Sequence, residues 1–273
     1  MPYLERQGIR LFYIRHGEGL PPLVFVHGYA CTHEDWHFQI DAFGQRCCVV
    51  ACDLRGHGAS EGEAPHCTIE TFAADVHALL TALSLPPAVL IGHSMGCRVV
   101  LQTYLEAPSR VAGLVLVDGS RLASGDPASA EATAQAFIQA TGYRAAIEAL
   151  FAGMFLETSD ATLKERILQR ALAFPEAVGS QLFPRLVGWD AHMLATALAR
   201  ITVPLLVLQS TYVNREHVRV PLRPGETTPW LEMVRQSVPT AQIEIISGVG
   251  HFPMLEAPEA VNRAIAAFLA TLP

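Results

Sequence analysis

Short uninterrupted apolar runs recur along the chain, at 23–26, 47–52, 88–91, 114–117 and 204–208. Runs of this length, bounded by glycine, proline and polar clusters, predict strands buried on both faces of a parallel sheet. Between them apolar residues return at helical spacing, which predicts helices over 34–43 and 69–83 and a closing one over 259–269. Segment 9–14 alternates in part after Gly8 and reads as an early antiparallel strand, with 243–246 as the last strand. From 122 to 200 the pattern changes. No strand-like run is present there, and alanine-rich helical periods occupy 131–140, 144–151, 161–173 and 191–199. Residues 209–228 form a long polar stretch that leads into a helix near 229–236. Strands and helices alternating in this way predict an α/β fold, a mostly parallel central sheet flanked by helices. Residues 1–121 and 201–273 would form its core. Residues 122–200 would form a helical insertion over the edge where such sheets bind ligands.

The run at 88–91 ends in Gly92-His93-Ser94-Met95-Gly96, and a helical pattern through Val99, Val100, Leu101, Tyr104 and Leu105 begins directly after it. Strand, sharp turn and helix are the context that a Gly-x-Ser-x-Gly match requires. The serine must occupy a strained backbone conformation where strand and helix crowd together, and Gly92 and Gly96 leave room for it. Unpaired N–H groups and the positive dipole end of the following helix would favour an anion developing beside Ser94.

Composition narrows the function classes. The chain has 273 residues, 51% of them hydrophobic and 16% charged, which suits a compact enzyme with a substantial core. A net charge of −7 and the lack of a basic stripe argue against nucleic acid as a partner. Lys164 is the only lysine, a bias with no functional reading. No apolar stretch reaches the roughly 20 residues that a bilayer span needs, so no membrane partner is expected. The start, Met1-Pro2-Tyr3-Leu4-Glu5-Arg6, carries no leader-like apolar region. Cys31, Cys47, Cys48, Cys52, Cys67 and Cys97 match neither a zinc-site spacing nor a disulfide framework. A reducing cytoplasm is the simplest reading, with no metal and no cofactor.

Four stretches then stand in a fixed order: His27-Gly28-Tyr29 after a strand, Asp53-Leu54-Arg55-Gly56-His57-Gly58-Ala59-Ser60, the Ser94 turn, and Gly248-Val249-Gly250-His251-Phe252-Pro253. Together they resemble the α/β-hydrolase family over essentially the whole chain, with 122–200 in the position of that family's cap. The resemblance implies Ser94 as nucleophile and His251 as its base, since a serine hydroxyl is unreactive without a base within hydrogen-bond reach. His251 follows the last strand, sits in a glycine-flanked turn and is the final histidine. Family geometry further implies an oxyanion hole made by the backbone N–H groups of Tyr29 and Met95. Their side chains would then be free to shape the pocket, Tyr29 by packing or through its hydroxyl. His27 and His93 are expected to tune loop packing and His57 to hold its own turn. His192 and His217 are assigned to the surface or the insertion.

The acid departs from the commoner family pattern. Many relatives carry it after the strand at 205–208, where this chain reads Gln209-Ser210-Thr211-Tyr212-Val213-Asn214 with no carboxylate before Glu216. The other family position, the end of the strand after the elbow, holds Asp118. Asp118 is the choice here, over Glu216, Asn214 or no acid at all, although aspartate at a strand end also serves as a turn-former or cap. Arg215, Arg219 and Arg223, with Thr227-Thr228-Pro229-Trp230, read as a solvated basic loop ahead of recognition of an acidic or aromatic substrate. Phe137, Phe151, Met154, Phe155, Leu182, Phe183 and Trp189 give the insertion the apolar content of a pocket roof, so a small apolar substrate is expected.

The leading expectation is a carboxylesterase-like serine hydrolase of small or medium carboxylic esters or lactones, acting through an acyl-enzyme. Cofactor-independent ring-cleaving dioxygenases of hydroxyquinolones look similar in two respects, the acid after the strand following the elbow and the base in a His-Phe-Pro stretch. Carbon–carbon bond hydrolases, hydroxynitrile lyases and haloperoxidase-like relatives share the fold, while Ser94 in place of an aspartate disfavours halide displacement. A third class is a non-catalytic receptor with a residual Ser/His pair.

Overall fold

The structure, a computed structural model, describes residues 2–214 and 218–272. Arg215, Glu216 and His217 therefore lie outside the described residues. The chain opens with the hairpin β1 (Tyr3–Arg6) and β2 (Ile9–His16), then alternates through β3 (Leu23–Val26), α1 (His37–Phe43), β4 (Val49–Cys52), α2 (Ile69–Ala82), β5 (Ala88–His93), α3 (Met95–Glu106) and β6 (Val111–Val117). Four helices follow without a strand among them: α4 (Pro127–Thr141), α5 (Tyr143–Ala152), α6 (Ala161–Leu172) and α7 (Glu176–Ala199). The sheet resumes at β7 (Leu205–Gln209), and a small hairpin, β8 (Thr211–Val213) and β9 (Arg219–Pro221), comes next. The chain closes with α8 (Pro229–Ser237), β10 (Gln242–Ile245), α9 (Pro253–Glu256) and α10 (Pro258–Leu269).

The main sheet runs in the order β1-β2-β4-β3-β5-β6-β7-β10. β1 and β2 pair antiparallel, as do β2 and β4, and every pairing from β4 to β10 is parallel. Every residue of β3, β4, β5 and β7 is buried, as continuous apolar runs demand of strands covered on both faces. α2 packs on α3, and α1 on α10.

Strand order and register decide where chemistry can gather. After β3 the chain moves one way to β4 and then returns past β3 to β5, so the crevice between the ends of β3 and β5 is a topological switch point. Val26 pairs with Gly92, His93 with Val117, and Val117 with Leu208. The segments leaving β3, β5, β6 and β7 therefore emerge at one level of one edge.

The structure differs from the sequence expectation at several points, among them the short helix α9 where only a turn was expected. β1 is too short to show a period, and only its partner strand was predicted. α7 runs for 24 residues where only 191–199 was expected, because Pro184 interrupts its pattern and it buries residues on several sides. The polar stretch after β7 is not a plain loop: it contains the β8–β9 hairpin, with Val213 opposite Arg219. Among the described residues no helix is long and apolar enough to cross a membrane.

Candidate active site

Ser94 stands between β5 and α3 at φ 53° and ψ −114°, a backbone region that costs a non-glycine residue strain. The glycines around it are required by contact. A Cβ on Gly92 would strike the Gly96 carbonyl, and one on Gly96 would strike the Val26 carbonyl. Ser94 is half-buried among buried neighbours, and its hydroxyl does not cap the helix it starts. Its backbone carbonyl accepts a hydrogen bond from Arg98 one turn on, at 2.9 Å.

Asp118 follows β6 at φ 44°, tolerable for a short polar side chain. Its carboxylate is fully enclosed. Oδ1 accepts from the backbone N–H groups of Ser210 and Thr211, both at 2.8 Å, and from Gln209 Nε2 at 3.0 Å. Oδ2 accepts from Thr211 Oγ1 at 2.6 Å and from His251 Nδ1 at 2.6 Å, with Arg219 at 3.5 Å. Burial alone would raise the Asp118 pKa. The His251 hydrogen bond and charge, helped by Arg219 and Thr211, outweigh it and bring the carboxyl down to about 2. Burial, then the Arg219 guanidinium, outweigh Asp118 at the imidazole and lower His251 to about 4. At neutral pH the pair is an ionised carboxylate and a neutral imidazole. An ionised carboxylate only accepts, so the imidazole proton sits on Nδ1 and Nε2 is left as an acceptor.

His251 is fixed through its backbone as well. Its N–H donates to the Met154 carbonyl at 2.7 Å, and its carbonyl accepts from His93 Nε2 at 2.8 Å. His93 is thus a packing group, as expected, held neutral by burial that lowers it to about 3. His27 bridges the Gly28 carbonyl and the Leu54 N–H, and His57 Nδ1 donates to the Arg55 carbonyl within its own turn. His192 is exposed on α7.

The loop after β3 closes the other side. A Cβ on Gly28 would lie 3.3 Å from Ser94 Cβ, so the backbone leading into Tyr29 passes directly beside the serine. Tyr29 lines the cavity but spends its hydroxyl on the Gly179 carbonyl of α7 at 2.9 Å. Met95 begins α3 directly after Ser94 and is wholly buried.

One cavity of about 920 Å3 joins these parts: Gly28, Tyr29, Ser94, Arg219 and His251 all line it. The five residues singled out from sequence, Ser94, His251, Asp118, Tyr29 and Met95, come together at one sheet edge. Of the expected apolar roof, Phe137, Phe151, Met154 and Phe183 line the cavity. Phe155 stacks on Phe252 at 5.3 Å, and Trp189 Nε1 donates to Gln102. Arg219 corrects the solvated-loop expectation: its side chain is 12% exposed and donates to Thr211 Oγ1 at 2.7 Å beside Asp118, whereas Arg223 is exposed. Arg98, Gln209 and Thr211 were also missed. Arg98 is buried on α3 and pairs through two nitrogens with Asp190 of α7. A buried arginine on an otherwise apolar helix face was the available signal for it.

The fold and this edge define an α/β hydrolase: residues 23–264 match the alpha/beta hydrolase family, and the chain belongs to it. Among its relatives is the dihydrolipoyllysine-residue acetyltransferase component of the acetoin cleaving system of Pseudomonas putida, 30% identical over 93% of this chain. The chain spans 64% of that relative's length. Another is the (E)-2-((N-methylformamido)methylene)succinate hydrolase of Acinetobacter baylyi, 27% identical over 96% of this chain and 94% of the relative. Of solved structures, a thermophilic esterase from Thermogutta terrifontis superposes with a TM-score of 0.81 at 25% identity, over 98% of this chain and 96% of the other. Est816, described as an N-acyl homoserine lactone degrading enzyme, superposes with a TM-score of 0.76 at 28% identity, over 98% and 100%.

Proposed function

We propose that this chain is a serine hydrolase that cleaves a small or medium carboxylic ester or lactone through an acyl-enzyme, with residues 122–200 as a cap over the site. The observation that carries the reading is the 2.6 Å contact between His251 Nδ1 and Asp118, on a residue that shares one cavity with the strained Ser94. Ser94 Oγ attacks the ester carbonyl carbon while its proton passes to His251 Nε2. The backbone N–H groups of Tyr29 and Met95 receive the negative oxygen of the tetrahedral intermediate. As the carbon–oxygen bond breaks, Nε2 returns the proton to the departing alkoxide, which leaves as the alcohol. Water then attacks the acyl-serine and gives its proton to Nε2, and as the second tetrahedral intermediate collapses to the acid Nε2 passes that proton to the departing Ser94 Oγ. Asp118 keeps the imidazole in the required tautomer and offsets the imidazolium charge in both halves.

The test is a fluorophosphonate probe with peptide mapping, alongside an ester panel. Labelling at Ser94 is expected, with turnover equal in aerated and anaerobic buffer. Ser94→Ala and His251→Ala should each abolish most activity, and the double variant should match the worse single one because the groups act as a unit. Near-normal turnover in Ser94→Ala would defeat the acyl-enzyme.

A further inference from the structure

The cavity beyond Ser94 is far larger than a short ester needs. Its roughly 920 Å3 lies near the top of the range of small-molecule sites, about 300–1,000 Å3, and is much more than an acetyl group and a small alcohol fill. Two cap helices supply its long walls. α7 contributes Phe183, Leu186 and Val187, and α4 contributes Ala130, Thr133, Ala134 and Phe137; each set recurs at three- and four-residue spacing along one helix face. The two helices pack on each other, and the small side chains Ala130, Thr133 and Ala134 leave the cavity open along the face of α4 that lines it. At the mouth, Phe137 is 58% exposed, and Leu122 and Val213, also in the lining, are 42% exposed. Large apolar side chains gathered in water around one cavity mark a surface that an apolar ligand completes. The charged groups of the lining are engaged already: Arg98 with Asp190, Arg219 with Asp118, and Asp126 as the cap of α4.

We propose that the cavity binds an uncharged aliphatic acyl chain, laid along the cavity-facing sides of α7 and α4 with its far end on Phe137, so that medium-chain acyl esters are the substrates. This rests on the acyl-enzyme reading above. The leaving oxygen must lie near His251 to receive its proton, so the acyl half extends away from His251, along the wall that α7 and α4 supply. There Phe183 of α7 packs edge-on to the Tyr29 ring at 5.6 Å, at the head of the groove.

The experiment is a series of p-nitrophenyl esters from acetate to laurate. kcat/KM should rise by up to about fourfold per methylene and peak near octanoate. Phe137→Ser, at an exposed position, should lower the octanoate-to-acetate ratio about fivefold. Ala134→Trp, which fills the groove, should remove the octanoate preference. Calorimetry of Ser94→Ala with methyl octanoate and methyl acetate reads chain recognition without turnover, and octanoate should bind at least tenfold tighter. If wild type cleaves no ester and Ser94 resists labelling, yet Ser94→Ala still prefers octanoate, the acyl-enzyme fails and the groove stands. Highest kcat/KM on acetate, equal turnover of a chain ending in carboxylate, or a ratio unmoved by both cap variants overturns the proposal.

Discussion

Replacing Asp118 by asparagine exchanges an oxygen for an NH2 group and should remove nearly all turnover. Two backbone N–H groups and the Gln209 amide converge on Oδ1, so the amide oxygen of an asparagine must stay there. Its NH2 then takes the place of Oδ2 and faces the donors on His251, Thr211 and Arg219. His251 can meet an N–H only by carrying its own proton on Nε2, the atom that has to receive the Ser94 proton. In the serine-protease triad the same change costs about ten-thousandfold in kcat, or about 5.5 kcal/mol of transition-state stabilisation. Stability should fall as well. Lowering the carboxyl from 3.8 to about 2 corresponds to about 2 kcal/mol at neutral pH. A depressed pKa stabilises above the unfolded value, and that contribution is lost as pH falls from 3.8 through about 2. Wild type and variant should therefore converge in stability under acid. Rates of ester hydrolysis are compared at equal folded fraction, measured by circular dichroism, with Glu216→Gln as the companion expected to be near wild type. A folded Asp118→Asn enzyme within tenfold of wild type, or a crippled Glu216→Gln, would refute the assignment.

Arg219→Gln should move the acid limb of the kcat/KM profile to higher pH, because the guanidinium lowers His251 and its loss lets the imidazole protonate sooner; an unmoved limb counts against that coupling. Asp190→Asn leaves the buried Arg98 guanidinium without its counter-charge. Breaking a buried pair costs about 3–5 kcal/mol, so Tm should drop by about 10 °C, and a thermal scan at wild-type Tm would contradict this. Gly96→Ala drives a methyl into the Val26 carbonyl and should cost at least the 1–3 kcal/mol of ordinary overpacking, read from a denaturant melt. A melt superposable on wild type would mean that the elbow is looser than described.

What was legible in the sequence was local or periodic. Strands covered on both faces must be continuous apolar runs, and the elbow must carry small residues where β5 and α3 touch, so both could be read from residue order. The β8–β9 hairpin could not: its strands are three residues long, too short to show a period, and contacts to a distant strand end hold it in place. Arg219 looked like one cation in a basic loop because the carboxylate it approaches lies 101 positions away. The choice between Asp118 and an acid after β7 turns on the same kind of long-range fact. β6 and β7 are adjacent, with Val117 opposite Leu208, so the two family positions for the acid are neighbours across one strand boundary. Two carboxylates there would repel and force one to take up a proton. In this chain the residues after Leu208 are Gln209, Ser210 and Thr211, and together they donate four hydrogen bonds to Asp118. The Gln209 amide is oriented for this by Trp230, whose Nε1 donates to its Oε1 at 3.1 Å. The carboxylate missing after β7 and the carboxylate present after β6 are therefore one arrangement. Moving the acid back to 209 would require removing Asp118, because the cradle that ionises one is the space the other would occupy.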